Sequence, residues 1–239
     1  MKIKNEVALV TGSNRGIGKA LVEALINAGA KKIYASARDI SKLSIPSSNT
    51  EIVALPCDIS DIHSMHNTLE KIDDVTLLIN NAGVLSAGNI LDVSLDDIKH
   101  DFETNFFGTL ALSRALAPVI QKNGGGAIVN ILTLLSFASM PHFAAYNASK
   151  AAAWSMTMSL RASLSDRNVK VHSVFPGAVD TDMLDGIDMP KTLPSAVAKA
   201  IIEGIENNQE DIFPDPMSQE VYGNWSNDHK AVERQFAQM

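Results

Sequence analysis

Short apolar runs alternate with longer stretches of helical period along the chain, and that alternation leaves few folds open. The runs Val7–Val10, Lys32–Ala35, Ile52–Leu55, Leu77–Asn80, Ala127–Ile131 and Val169–Val174 have the length of buried strands, and several are rich in Val and Ile. Ile212–Phe213 adds a candidate edge strand. Helical periodicity fills Gly16–Ala28, closed by Gly29, then Asp61–Lys71, Ser94 to about Lys122, Tyr146–Leu164 and Pro194–Asn207, where Pro194 suits a first helical position. Within the third, Ser94 and Asp97 resemble a capping box, and a break is expected near Phe102–Asn105. No longer repeat is visible, so the pattern predicts an α/β fold: a doubly wound parallel sheet with helices on both faces, built as a single domain over residues 1–239.

Composition narrows the partners. The 27 acidic and 20 basic residues give a formal charge of -7, which offers no basic footprint for nucleic acid or an anionic membrane surface. Cys57 is the single cysteine, so no internal disulfide and no multi-cysteine metal site is expected, and a reducing compartment fits. Met1–Glu6 runs directly into a short apolar stretch stopped by Thr11-Gly12, without the apolar core of a signal peptide, and no segment has the roughly 18 apolar residues of a membrane span. The expectation is a cytoplasmic protein. Irregular stretches fall at Ile40–Thr50, Leu85–Asp92 and Asp180–Pro194. Ligands of open parallel sheets bind outside the carboxyl ends of the strands, so Asp180–Pro194 is read as a lid over that crevice.

The first strand leads into Thr11-Gly12-Ser13-Asn14-Arg15-Gly16-Ile17-Gly18, where a helix pattern begins. Glycines there let the backbone turn tightly and approach a pyrophosphate, which free N–H groups and the positive end of the helix dipole attract. The spacing Gly-x-x-x-Gly-x-Gly differs from the general Gly-x-Gly-x-x-Gly fingerprint but keeps its mechanism, and taken alone it could be a purely structural connection. About 20 residues on, an acidic side chain would select NAD and an arginine NADP. The sequence there reads Ala37-Arg38-Asp39: Arg38 favours NADP(H), with Arg15 as a second cation, and Asp39 keeps NAD(H) open.

Tyr146 and Lys150 stand four residues apart in a helical stretch, on one face. A free phenol ionises near pH 10, and bringing it to neutrality requires about 4 kcal/mol, which a nearby ammonium and a cationic nicotinamide could supply. Such pairs also arise on ordinary helices, where the tyrosine simply packs under the lysine stem. Combined with a nucleotide turn, the pair becomes a proton donor beside a hydride carrier, the two parts that carbonyl reduction requires.

Thr11-Gly12-x-x-x-Gly16-x-Gly18, Asn80-Asn81-Ala82-Gly83, Tyr146-x-x-x-Lys150 and Pro176-Gly177-x-x-x-Thr181 occur in the order found in the short-chain dehydrogenase/reductase (SDR) family, which the chain resembles over nearly its whole length. The resemblance implies a Rossmann-type fold and an NADP(H)-dependent oxidoreductase, of the carbonyl reductase or alcohol dehydrogenase kind. It implies that Asn81, Ala82 and Gly83 lie beside the adenosine, that Asp58 contacts adenine, and that Pro176, Gly177 and Thr181 line the nicotinamide. By the same resemblance Asn105 is the active-site asparagine, holding a water linked to Lys150, and Lys150 also binds the nicotinamide ribose. Dimers or a homotetramer would form through the Asn105–Lys122 and Tyr146–Leu164 helices.

The departure is at the family's serine, 13 residues before the tyrosine, where this chain has Thr133. A hydroxyl is retained and a methyl added, which restricts the rotamer and crowds the site. Thr133 is preferred to Ser136 for the role. His63 and His66 lack further ligands nearby, and no metal is assigned. Met140, His142, Phe143, Met183, Leu184, Ile187 and Met189 flank the pocket in sequence and favour an apolar or aromatic carbonyl substrate. The stretch Pro214–Met239 is read either as an amphipathic helix on the domain edge or as a cover for the pocket. The rival functional reading is a nucleotide-binding sensor of the NADP redox state without turnover, motivated by Thr133.

Overall fold

The computed structural model describes residues 1–239. Seven parallel strands form one sheet in the order β3-β2-β1-β4-β5-β6-β7: β1 (Val7–Thr11), β2 (Lys32–Ala37), β3 (Glu51–Pro56), β4 (Leu77–Asn80), β5 (Gly126–Ile131), β6 (Val169–Val174) and β7 (Asp211–Ile212). The first six match the apolar runs, each within two residues, and the edge strand lies one residue earlier than Ile212–Phe213. Strand order reverses at β1 and β4, which places a crevice at their carboxyl ends.

The strands are largely apolar because both faces of the sheet are covered. Val10, Leu77, Ile79, Val129 and Ile131 join one core with α1 (Gly16–Asn27) and α6 (Pro194–Glu206). Leu9, Leu78, Ile128 and Val171, on the alternate positions, join a second core with α2 (Ile62–Leu69) and α4 (Thr109–Lys122). The period of two thus divides one apolar sequence between two layers. No helix is long and apolar enough to cross a membrane.

The sheet centre also carries a buried polar ladder. Asn80 on β4 lies opposite Asn130 on β5. Asn80 Nδ2 donates to Asn130 Oδ1 at 2.8 Å and to Ser113 Oγ at 3.0 Å, while Asn130 Nδ2 donates to Thr157 Oγ1 at 2.9 Å.

The expected helix break near Phe102–Asn105 is instead a change of pitch. α3 (Leu95–Phe102) passes without interruption into a π-helical turn over Glu103–Gly108 and then into α4. The wider turn carries Gly108 against Ile59, whose carbonyl oxygen would lie 2.4 Å from any Cβ added there. At the head of α3 only half of the expected box forms: Ser94 Oγ accepts from Asp97 N, and the Asp97 carboxylate accepts from the Ser94 hydroxyl rather than from its backbone. α5 spans Ala144–Leu164, starting two residues before Tyr146.

The C-terminal stretch folds as two helices, α7 (Pro216–Asn227) and α8 (His229–Phe236). Val232 and Phe236 are buried against Leu134 and Ala138. Ile79 has no exposed surface in the first core, and Ile79→Ala should lower unfolding free energy by about 2–5 kcal/mol in a urea titration.

Candidate functional site

The turn after β1 is shaped by what it must avoid. Gly12 and Gly16 have φ of 66° and 52°, in the left-handed region open chiefly to glycine. A Cβ on Gly18 would lie 2.1 Å from the Gly12 carbonyl oxygen, so only glycine lets α1 seat against the turn. Asn81 braces the arrangement from the end of β4: its Nδ2 donates to the carbonyls of Thr11 (2.9 Å) and Gly12 (3.2 Å), and the backbone N–H groups of Asn81 and Ala82 both donate to Thr11 Oγ1. These bonds hold open a cleft that exposes the turn's backbone.

That cleft is part of a cavity of about 1080 Å³ along the carboxyl ends of the strands. It is larger than the roughly 300–1,000 Å³ of ordinary ligand pockets, room enough for a dinucleotide and a second molecule. Gly12, Asn14, Arg15, Gly16, Ile17 and Gly18 line it, as do Arg38, Asp58, Asn81, Ala82 and Gly83, and Pro176, Gly177 and Thr181 farther along. Ser13 is the exception: its hydroxyl donates to the Val10 carbonyl at 2.7 Å, it is buried, and it is absent from the cavity wall. The glycine cradle therefore fits the dinucleotide that the sequence implies.

Charge at the adenosine end is arranged unevenly. Asp39 Oδ1 accepts from both the backbone N–H and the hydroxyl of Ser41, and these bonds hold its carboxyl below the usual carboxylate range. It also lies 3.7 Å from Lys42. Its Oδ1 is thus engaged within its own loop. Asp58 is similarly occupied by the N–H and hydroxyl of Ser60. Arg15 is paired with Asp182 of the Asp180–Pro194 segment at 2.8 Å, a contact between the glycine turn and the segment above it.

Farther in, Thr133, Tyr146 and Lys150 meet at the cavity wall, each less than a tenth exposed. Burial pushes the Tyr146 phenol above its ordinary ionisation range, opposed by the nearby Thr133 hydroxyl, so the phenol is held protonated. Burial pulls the Lys150 ammonium down to about 8, and the Asp101 carboxylate works against that fall. Lys150 Nζ donates to the Ile131 carbonyl at 2.8 Å and sits 5.8 Å from the Tyr146 ring centroid. Thr133, rather than Ser136, faces the cavity; the Ser136 hydroxyl is buried off the wall with no hydrogen-bond partner.

Asn105 lies on the π-helical turn. Its Oδ1 accepts from Val84 N at 3.0 Å, and its Nδ2 donates to the Val84 carbonyl and to Ser149 Oγ, each at 2.9 Å. The side chain clamps the loop after β4 to the helix that carries Tyr146 and Lys150. A Cβ on the neighbouring Gly83 would meet Asn105 Oδ1 at 3.1 Å and Lys150 Nζ at 3.4 Å, so this glycine lets the loop pass close to both.

Met140, His142, Phe143, Met183, Leu184, Ile187 and Met189, expected from sequence to flank the pocket, all line it. The C-terminal stretch forms helices that bury one side, as the first reading expects, and Met217, Val221, Val232 and Phe236 also form part of the same wall, as the second does. Two further residues were not legible in the sequence. Asp215, 2% exposed, caps α7 and accepts from the Gly177 N–H at 2.8 Å, tying the cover to the strand-end segment. Asp101, with no exposed surface, accepts from the N–H and hydroxyl of Ser86. An Asp one position before a proline at a helix start is a detectable cap, whereas nothing local marks a buried aspartate inside a helix.

Known proteins share this arrangement. The short chain dehydrogenase family profile matches residues 6–191. A short chain dehydrogenase from Burkholderia cenocepacia J2315, crystallised in complex with NADP, superposes with a TM-score of 0.93 at 35% identity over 99% of both chains. A 3-oxoacyl-[acyl-carrier-protein] reductase from Synechocystis is 31% identical over 77% of this chain and 78% of its own. A 3alpha-hydroxysteroid dehydrogenase from Mediterraneibacter gnavus is 29% identical over 86% of this chain and 84% of its own. Gly18→Ala should weaken binding of a nicotinamide dinucleotide at least about tenfold, read by quenching of protein fluorescence, because the added methyl has to displace either Gly12 or α1.

Proposed function

The chain belongs to the short-chain dehydrogenase/reductase family, an oxidoreductase family, and we propose on that premise that it is an NADP(H)-dependent reductase of bulky apolar carbonyls, working reversibly on the corresponding secondary alcohols. The observation that carries this reading is the meeting of a buried, protonated Tyr146 with Thr133 and Lys150 on a cavity whose far wall is apolar.

Bound NADP(H) supplies the hydride in reduction and accepts it in oxidation. Arg38, just after β2, is the cation for a 2'-phosphate, while Asp39 beside it on the cavity wall has its Oδ1 engaged by Ser41. Gly12 to Gly18 present backbone to the pyrophosphate. Pro176, Gly177 and Thr181 form the wall on the nicotinamide side, with Lys150 toward the ribose.

In reduction the Thr133 hydroxyl donates to the substrate carbonyl oxygen and polarises it, while the Tyr146 phenol delivers its proton to that oxygen. Lys150 stabilises the phenolate left behind and passes a proton toward it. Asn105 keeps the Lys150 helix and the loop after β4 in register. The Asp180–Pro194 segment serves as a lid, with α7 and α8 as a fixed cover, so that a substrate held among Leu134, Met140, Met189 and Phe236 is shielded from water. Relatives whose names denote steroid and acyl-chain substrates support an extended apolar substrate. The same helices that carry Asn105 and Lys150 expose Phe107 and Met158, consistent with a homo-oligomer.

The decisive assay follows NADPH oxidation, with NADH in parallel, over apolar, aromatic and small polar carbonyls. Tyr146→Phe should lower turnover by about 10²–10⁴-fold without loss of NADPH binding. Because reduction draws its proton from Lys150, whose ammonium ionises at about 8, the rate should fall as pH rises through that value. Tight NADPH binding with no turnover of any carbonyl would favour the sensor instead. Phe236→Ala should raise KM for a bulky apolar carbonyl by roughly 10-fold or more, with kcat for a small carbonyl nearly unchanged, since it removes one buried apolar contact from the far wall.

A further inference from the structure

We propose that Asp101 is a positioning residue for the reaction assigned above: its buried carboxylate anchors the loop that abuts the Tyr146 helix and is the counter-charge to the Lys150 ammonium. The inference rests on that functional reading for its consequence, though not for its structural premise.

Asp101 has no exposed surface and is a polar residue inside α3, one helical turn before Asn105. An isolated buried carboxylate is costly, so its surroundings need explanation. Its two oxygens accept from Ser86, from the N–H at 3.2 Å and from the hydroxyl at 2.8 Å. The loop it grips runs on to Gly88, whose N–H donates to the His142 carbonyl at 2.7 Å and whose carbonyl accepts from Ala144 N at 3.3 Å. Those residues lead directly into Tyr146. Asn105 holds the same loop at Val84 and also donates to Ser149 Oγ, which in turn donates to the Tyr146 carbonyl at 2.8 Å. Asp101 and Asn105 therefore clamp one loop at two points, and that loop is seated on the proton-transfer helix.

The electrostatic role follows from what surrounds Lys150. Its single hydrogen-bond partner is the neutral Ile131 carbonyl, and it makes no ion pair within 4.0 Å. Burial raises the Asp101 carboxyl above its ordinary range, opposed by the two Ser86 hydrogen bonds, and in its ionised form it raises the proton affinity of Lys150 and of Tyr146. The other groups bearing on Asp101 are Asp97 and His100 of its own helix, and the π-helical turn contributes the exposed Glu103. The loop supplies the Ser86 N–H and hydroxyl. Removing the charge at Asp101 lowers the proton affinity of Lys150 and of Tyr146 together, so the two effects on the pH dependence have one sign.

Asp101→Asn removes the charge and can keep both contacts, accepting from Ser86 N and donating to its hydroxyl. Ser86→Ala removes one contact and keeps the charge. In the cofactor-free protein, lysine Nζ signals in nitrogen-15 NMR give the Lys150 titration directly. The expected result is a midpoint about one pH unit lower in Asp101→Asn, unchanged in Ser86→Ala and restored in Asp101→Glu. In the turnover assay the reduction limb of Asp101→Asn should move to lower pH by the same amount. A Lys150 midpoint in Asp101→Asn that superimposes on wild type, with turnover lowered evenly at all pH, would overturn the proposal. Should the variants not hold their fold, the carboxyl carbon of Asp101 in the wild-type protein decides: ionised at neutral pH it supports the counter-charge, protonated it removes it. These titrations need no turnover, so failure of the carbonyl-reductase reading would show itself separately, in the wild-type assay.

Discussion

The approach of Gly18 to the Gly12 carbonyl is the constraint from which the site is laid out. A helix that close to a turn can be reached only without a side chain, and once reached it fixes where α1 begins. The Asn81 amide then completes the carbonyls of the turn and ties β4 to β1 at the strand ends. From that fixed corner the remaining elements take their places by ordinary burial, because the strands are apolar on both faces and each face has its own layer of helices. Tyr146 and Lys150 arrive opposite the turn because α5 packs beside β6 and carries them at its first turns.

Around the chemistry, the chain uses polar side chains to hold backbone rather than to hold one another. Asn105 satisfies both polar groups of the Val84 backbone, Asp101 takes the N–H of Ser86, and Asp215 takes the N–H of Gly177. Loops at strand ends lack the ladder bonds of the sheet, and a buried backbone group without a partner is costly. Each of these side chains meets that need at a point where the cavity wall would otherwise be loose. The outcome is a braced frame around a phenol and an ammonium.

The strands, the glycine turn and the Tyr146/Lys150 pair were legible in the sequence because each is set by local pattern: period, glycine spacing and a four-residue separation. The apolar lining by Met140 and Met183 to Met189 followed from position alone, since loops after β5 and β6 must lie over the crevice. Other features depend on individual hydrogen bonds that no residue pattern marks. The inward turn of Ser13 is decided by the Val10 carbonyl, the pairing of Arg15 by Asp182, and the engagement of Asp39 by the start of a short 3-10 turn at Ile40–Lys42. The π-helical turn has no composition of its own; it exists because Asn105 and Gly108 must reach Val84 and Ile59 from one helix. Asp101 reads in sequence as one more acid of a solvated helix face, and only the packing of α3 on α5 buries it.

The ladder through Asn80 and Asn130 bears on how the sheet avoids assembling wrongly. Apart from these asparagines β4 and β5 carry mainly apolar side chains, so a slip of two residues would return apolar to apolar on each face. Only the amides distinguish the alignments. In the native one both amide N–H groups and the Asn130 oxygen find partners, leaving only the Asn80 oxygen without one, and each further group left without a partner in a slipped alignment would cost about 1–3 kcal/mol. The polar pair thus favours the register of the strands whose ends carry Asn81 and Thr133, and with it the placing of the site at those ends.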